Sequence, residues 1–136
     1  MICITCKQDK PLIKDITKGK YCRDCKCAYL RRWHAARRID VLRKLSNCYI
    51  PFCECCGENI TEFLQIDHIN GGGSADRNRG LSSTALINWL IKHGIDRSKF
   101  QVLCGSCNGA KGFYGNCPHN KMREWRILQE AEWVVL

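Results

Sequence analysis

Eight of the twelve cysteines in this 136-residue chain stand in four Cys-x-x-Cys pairs. Random placement would give about one such pair. Two intervening residues let both thiolates reach one tetrahedral Zn²⁺ at about 2.3 Å, so the spacing predicts metal ligation. The four pairs are Cys3/Cys6, Cys22/Cys25, Cys53/Cys56 and Cys104/Cys107.

The start of the chain argues against the alternative interpretation, a secreted disulfide scaffold. MICITCKQDK carries cysteines and charges where an export signal has its apolar stretch. The adjacent residues Cys55 and Cys56 are also awkward for bridging. No apolar run approaches the roughly 18 residues of a membrane span. Reduced thiols therefore predict a cytoplasmic protein, in a bacterial or phage-infected cell, with no membrane partner.

Residues 1–27 are predicted to form an N-terminal zinc-binding module with the spacing of a zinc ribbon. Fifteen residues separate its two cysteine pairs. A module this small buries too little apolar surface to fold alone, so the metal must supply the missing stability. Cys27 is an alternative ligand in this module. The predicted ligands are Cys3, Cys6, Cys22 and Cys25.

The other two pairs predict a second structural zinc site, within residues 47–120. Gly57 follows Cys56 directly and allows the tight turn of a zinc knuckle, which leaves Cys55 pointing away, buried or idle. Forty-seven residues separate Cys56 from Cys104, so further structure is inserted between the two halves. The predicted ligands are Cys53, Cys56, Cys104 and Cys107. The sequence assigns no role to Cys48, Cys117 and His119.

The excess positive charge of the chain is confined to its first third. The formal net charge is +9, and residues 1–50 hold 13 Lys/Arg against 4 Asp/Glu, whereas residues 51–136 balance. Seven cations fall between Lys26 and Lys44, against a single acid, Asp40. Such clustering predicts a polyanion partner, and nucleic acid, here double-stranded DNA, is the leading candidate.

A basic helix is predicted from about Lys26 to Leu45. The stretch has no Gly or Pro, and Ala35, Ile39 and Leu42 form one apolar stripe. It is either a helix that contacts DNA phosphates or a solvated link between two modules, and its cation density favours the first. The predicted DNA-contacting residues, here and later in the chain, are Arg31, Arg32, Arg37, Arg38, Arg43, Lys44, Arg77, Arg79 and Lys111.

The insert in the second module is predicted to contain two strands and a helix. Alternating apolar residues favour a strand over 63–69, and FQVLC favours a second strand over 100–104. Between them, residues 70–80 have the composition of a loop. A helix is expected from about Ser83 to His93, capped by Ser82 or Ser83. Its predicted apolar face is Leu86, Trp89, Leu90 and His93.

Two more helices are predicted towards the C-terminus. A short helix follows Asn108, and another covers residues 121–136 with Trp125 and Leu128 on one side. The predicted organisation is therefore an N-terminal zinc module over 1–27, a basic linking helix over 28–46, a metal-bound domain over 47–120 and a C-terminal helix.

Asp67 and His68 end the first predicted strand, and Asn108 directly follows Cys107. Together with the cysteine pairs, this order resembles the HNH, or ββα-metal, endonucleases of the zinc-stapled type, which include phage junction-resolving and small rare-cutting restriction endonucleases. The resemblance covers roughly residues 50–117. It implies an α+β fold, a small zinc-stabilised ββα-metal domain with a zinc-ribbon-like N-terminal module and flanking helices. The residues that carry it are Cys53, Cys56, Asp67, His68, Cys104, Cys107, Asn108 and Lys111.

The resemblance implies hydrolysis of DNA phosphodiester bonds, and the chemistry of three residues fits it. Asp67 and Asn108 offer oxygen ligands to one catalytic Mg²⁺ or Mn²⁺. His68 is the expected general base, since imidazole titrates near neutral pH. Adjacent side chains on a strand point oppositely, so a bulge or turn at 67–69 is required.

Several simpler interpretations stay open. If the second zinc site is purely structural, Asn108 is only a turn residue and Asp67 only caps the loop. His68 could be a zinc ligand, and Lys111 a plain surface residue. Residues 98–101 also lack the asparagine that steadies the base-carrying loop in many HNH enzymes.

The favoured function is a metal-dependent DNA endonuclease that is restriction-like, homing-like or junction-resolving. The alternative is a non-catalytic zinc-ribbon protein that binds DNA and regulates transcription. Double-strand cleavage by one such site usually needs two copies. A homodimer is therefore one possibility, with the C-terminal helix as a candidate surface, and a monomeric nickase is the other.

Overall fold

The computed structural model describes residues 1–13 and 20–122. The chain divides into two compact units, Met1–Arg38 and the part that begins at Ile39. The boundary falls inside one helix, α1, which spans Arg23–Ser46. Each unit is described below by itself.

Before α1, the first unit is built from short turns around cysteines. Among its described residues Cys3 and Cys22 are buried, whereas Ile2, Ile4 and Ile13 are exposed. Its β structure within the described residues is two isolated bridges, Ile2 with Asp9 and Leu12 with Cys22. So little apolar burial agrees with the expectation that this unit depends on a metal.

Helix α1 confirms the helix predicted from about Lys26 to Leu45. Asp24 lies in its first turn and Arg43 and Lys44 in its last turn, where their charges oppose the helix dipole. Its C-terminal residues Val41, Leu42 and Leu45 are fully buried, but Ala35 of the predicted apolar stripe is exposed. The stripe is therefore shorter than predicted.

The described part of the second unit contains a two-stranded antiparallel sheet, three α-helices between and after its strands, a short 3-10 helix (Thr61–Phe63) and a helical segment at 119–122. Strand β1 (Leu64–His68) pairs with β2 (Phe100–Cys104), so that Leu64 lies opposite Cys104 and His68 opposite Phe100. Between the strands come α2 (Gly73–Asn78) and α3 (Ser83–His93), and α4 (Gly105–Tyr114) follows β2 directly. Both predicted strands and α3 are confirmed, and the short helix predicted after Asn108 begins earlier, at Gly105.

The core of the second unit lies around this sheet. Leu64, Val102 and Leu90 are fully buried there, with Leu42 and Leu45 from the end of α1. Helix α4 packs on both strands. A two-stranded sheet is marginal alone, so these helices and the cysteines must hold it.

Two predictions for the second unit are wrong, and a third is met in one of its two forms. Helix α2 lies within residues 70–80, which were predicted as a loop. Of the bulge or turn required at 67–69, the structure has the turn: the strand register is regular up to His68, where β1 ends, and Gly71 N–H donates to the His68 carbonyl at 3.0 Å. Trp89 and His93 stack on each other outside the core. Ile87 is buried in the core instead of Trp89.

The predicted C-terminal helix falls mostly outside the described residues. Residues 119–122 are helical, but Trp125 and Leu128, proposed as a dimer surface, lie beyond them. Ser82 takes the N-cap position of α3 without a side-chain cap hydrogen bond. Among the described residues no helix has the length and hydropathy needed to cross a membrane.

Candidate functional site

Two sets of four cysteines each bring their sulfur atoms together. Within each set the sulfurs lie within 4.8 Å of one another. Cys6 Sγ is 3.8 Å from Cys22 Sγ, and Cys56 Sγ is 3.7 Å from Cys104 Sγ. Four sulfurs at about 2.3 Å around a tetrahedral zinc ion would be separated by about 3.8 Å. Both sets could therefore hold zinc. They are the amino-terminal cysteine group (Cys3, Cys6, Cys22, Cys25) and the central cysteine group (Cys53, Cys56, Cys104, Cys107).

Both groups begin with the same kind of tight turn. The residue after the second cysteine has a left-handed backbone, with φ of 58° at Lys7 and 81° at Gly57. Each of these residues donates its backbone N–H to the first cysteine's carbonyl, at 3.0 Å for Cys3 and 2.8 Å for Cys53. The knuckle predicted at Gly57 is confirmed. At Lys7 the same turn is made without a glycine, which is uncommon.

Backbone N–H groups directed at the sulfur favour the thiolate of the first cysteine in each turn, whereas burial raises the pKa of Cys56 and of Cys107. The N–H of Cys22, 3.3 Å from Cys3 Sγ, is the main cause that lowers the pKa of Cys3 to about 6. At Cys53 burial acts in the opposite direction, but N–H groups led by that of Cys104 lower the pKa to about 7. Thiolate is the form that binds metals.

Asp67 and His68 end strand β1 with their side chains in different surroundings. Asp67 is buried and contacts Gln101 and Lys111. His68 contacts Asp76 and lies edge-on to Phe100, with ring centroids 4.8 Å apart. The two side chains that the sequence proposed to act together therefore have different partners at the end of the same strand.

Three oxygen atoms converge on the ammonium group of Lys111. Its Nζ lies 2.5 Å from Asp67 Oδ2, 2.8 Å from the carbonyl of His68 and 3.0 Å from that of Ile69. The Lys111 and Asp67 side chains are 23% and 10% exposed. Lys111 was predicted to touch DNA, but here it neutralises a mostly buried carboxylate.

Asn108 lies one turn before Lys111 on the same face of α4. Its Nδ2 donates to Gln65 Oε1 at 2.8 Å. Gln65 is two residues before Asp67 on β1, so α4 presents Asn108 and Lys111 to one face of the strand. The structure brings the two proposed metal ligands to this face, each with a partner from the chain.

His68 is held by a carboxylate that the sequence analysis missed. Its Nε2 is 2.7 Å from Asp76 Oδ2. The pKa of Asp76 is lowered, first by this hydrogen bond and then by Arg79, so Asp76 is an acceptor and Nε2–H donates. The two side chains are 17% and 13% exposed. Asp76 was assigned to a loop, and only helix α2 brings it back to β1.

The other ring nitrogen of His68 faces a position without a side chain. A methyl group at Gly73 would lie 3.3 Å from His68 Nδ1. Because Nε2 carries the proton, Nδ1 is the basic nitrogen. This nitrogen is the one that could accept a proton from water.

The predicted DNA-contacting residues differ in their surroundings. Arg31 and Arg32 are exposed on α1. Arg37 stacks on Trp33 at 4.4 Å from the ring centroid, and Arg38 is half-buried. The others with intramolecular partners are Arg43 with Tyr49, Lys44 with Asp40, Arg77 with Ser74 and Arg79 with Asp76.

The second unit thus carries a His–Asp pair, a lysine–carboxylate pair and the central cysteine group around one small sheet. The fold is mixed α+β, and its cysteine groups could bind zinc. Comparisons of the chain with protein-family models, curated proteins and solved structures found no match.

Proposed function

We propose that this chain is a metal-dependent endonuclease that hydrolyses phosphodiester bonds of double-stranded DNA. The observation that carries the proposal is the hydrogen bond between His68 and Asp76 at the end of β1, which leaves Nδ1 basic and beside Gly73. An oriented imidazole of this kind is typical of general bases.

In the proposed reaction, His68 takes the proton of a water molecule as the water oxygen attacks phosphorus. The bond between phosphorus and the leaving oxygen of the DNA then breaks. That oxygen takes up a proton from solvent, and the imidazolium of His68 returns the proton it took from water to solvent. Asp76 fixes the orientation of the imidazole and stabilises the imidazolium that forms, as carboxylates do in other His–Asp pairs.

A divalent cation fits the donor atoms near Asp67. The carboxylate and the carbonyl oxygens of His68 and Ile69 already surround one positive charge, and hard cations prefer oxygen ligands. Asp67 and the side-chain oxygen of Asn108 would hold Mg²⁺ or Mn²⁺ after Lys111 and Gln65 release them. Such an ion supplies positive charge to the phosphate oxygens.

Two zinc ions are proposed to have a structural role. Each cysteine group would hold one, and four thiolates close the coordination sphere, so neither ion would have a position for substrate. The central group joins Cys104, at the end of β2, to the knuckle at Cys53. It would therefore fix the sheet that carries His68.

DNA as the partner is supported by charge. The net charge of +9 and the exposed Arg31 and Arg32 favour a polyanion. Affinity should fall steeply with salt, by roughly 0.9 in log K per unit of log salt for each phosphate contact.

One observation favours the alternative, a non-catalytic zinc-dependent DNA-binding protein. Lys111 neutralises Asp67 and Gln65 binds Asn108, so both proposed ligands have partners without a metal. This arrangement is stable as a purely structural polar contact between α4 and β1.

Plasmid cleavage separates the two functions. The purified zinc-loaded protein is incubated with supercoiled plasmid and either Mg²⁺ or Mn²⁺, and nicked or linear DNA is expected. His68→Ala should abolish cleavage and retain DNA binding, whereas His93→Ala, on the outer surface of α3, should cleave normally. Binding without cleavage in both metals would favour the alternative, and equal cleavage by His68→Ala would reject the assigned base.

A further inference from the structure

Three potential metal ligands lie beside the central cysteine group without belonging to it. They are Cys55 from the knuckle, and Cys117 and His119 from the segment after α4. Cys55 and Cys117 are buried. Their donor atoms and Cys107 Sγ all lie within 4.8 Å of one another. The three residues are called the outer group below.

The distances in the outer group match those between ligands of one metal ion. His119 Nδ1 is 3.3 Å from Cys107 Sγ and 3.4 Å from Cys117 Sγ. Around a tetrahedral zinc, with bonds of about 2.3 Å to sulfur and 2.0–2.1 Å to nitrogen, a sulfur and a nitrogen are separated by about 3.6 Å.

Hydrogen bonds alone explain this arrangement poorly. An imidazole nitrogen has one lone pair, so His119 Nδ1 can accept from a single thiol, yet two sulfurs lie near it at almost equal distances. Cys55 Sγ also lies 3.8 Å from Asn120 Oδ1, and His119 is exposed, so the four donor atoms share several weak contacts. A cation between the four atoms would give every one of them a bond.

The backbone also holds the outer group in a form suited to chelation. Pro118 restricts the chain between Cys117 and His119. Asn120 N–H donates to the carbonyl of Cys117 at 3.0 Å, and Lys121 N–H to that of Pro118 at 3.1 Å. This turn directs both side chains to one point. Cys55 reaches the same point because Gly57 turns the knuckle.

We propose that the outer group binds a further zinc ion, with Cys107 Sγ bridging it to the ion of the central cysteine group. Six thiolates and one imidazole then hold two ions, each with four ligands. The cluster has the same formal charge as a single zinc on four thiolates. Each thiol that binds releases its proton to solvent.

The cluster would fix the segment after α4 to the knuckle. Without it, Cys55 and Cys117 are two buried thiols in a core of limited size. With it, residues from three separate parts of the second unit are joined at Cys107. This proposal is independent of DNA cleavage.

Native mass spectrometry of the intact chain, purified with Zn²⁺ and desalted, tests the number of ions. Three zinc ions per chain are expected. His119→Ala and Cys117→Ser should each hold two, with an unchanged circular dichroism spectrum. The matched controls are His93→Ala and Cys48→Ser, which replace exposed residues outside every group and should keep three.

Cadmium-113 NMR of the unmodified protein tests the bridge and needs no variant. Three resonances are expected after exchange of zinc for cadmium, two of them split by mutual coupling through Cys107 Sγ. Three results would each overturn the proposal. They are two uncoupled resonances, two zinc ions in the mass spectrum, and a mass two units lower, which would mean that Cys55 and Cys117 form a disulfide.

Discussion

Replacing Asp76 with asparagine is the most direct perturbation of the proposed general base. One carboxylate oxygen of Asp76 accepts from His68 Nε2 and the other from Arg79 Nη2. An amide has one acceptor oxygen, so one of these two donors must face an NH₂ group. The negative charge that stabilises the imidazolium is lost as well.

The expected magnitude follows from the geometry. Unit charges about 4 Å apart attract by about 4 kcal/mol at an effective dielectric constant of 20. Slight exposure of both side chains and the positive charge of Arg79 reduce this figure, so about 3 kcal/mol is expected. At about 1.36 kcal/mol per tenfold change in rate, kcat should fall about 100-fold.

The assay is single-turnover cleavage of supercoiled plasmid at saturating protein, with DNA affinity measured by fluorescence anisotropy. Asp76→Asn should lose rate and keep affinity within about twofold, because the change affects proton transfer. Asp96→Asn is the matched control. Its carboxylate also has a lowered pKa, caused chiefly by Ser98, but it lies in the turn before β2. Cleavage by Asp76→Asn within threefold of the unmodified protein would refute the reasoning.

Three other changes test neighbouring parts of the structure. Gly73→Ala places a methyl group 3.3 Å from His68 Nδ1. It should slow cleavage at least tenfold and leave the melting temperature unchanged. Normal cleavage would mean that the attacking water does not bind beside His68 Nδ1. Lys111→Met leaves the Asp67 carboxylate without its cation and should destabilise the metal-free protein by about 3 kcal/mol. Added Mn²⁺ should then raise the melting temperature of this variant more than that of the unmodified protein. Equal rises would argue against an ion at Asp67. Release of zinc to a coloured chelator should become faster as the pH falls, because protons compete with the metal for the thiolates. A rate independent of pH would contradict metal binding through these sulfurs.

Local patterns in the sequence were enough to predict most elements of the second unit. The alternation over residues 63–69 and the run FQVLC correspond to β1 and β2, and cysteine spacing anticipated both cysteine groups. Helix α2 could not be predicted, because the glycines at 71–73 and the short polar residues that follow have the composition of a turn. It is held by the contact of Asp76 with His68, which depends on tertiary structure.

The contacts around the candidate site could not be predicted from local sequence patterns either. The spacing of Asn108 and Lys111 predicts a shared helix face, but not that this face lies against β1. The position of Lys111 therefore depends on how α4 packs. Cys117 and His119 had no recognisable spacing to the earlier pairs, and the turn after α4 brings them to Cys107.

The contact between Cys56 and Cys104 has a topological consequence, since these residues are 48 positions apart. A metal bound there closes a loop that contains β1, α2, α3 and most of β2. The entropy of closing a flexible loop grows only with the logarithm of its length, by about 0.6 kcal/mol per doubling. A long insertion at the short connection Leu81–Ser82 should therefore change the free energy of unfolding only slightly. The same metal-closed loop could contain inserted segments of very different size and recognition properties.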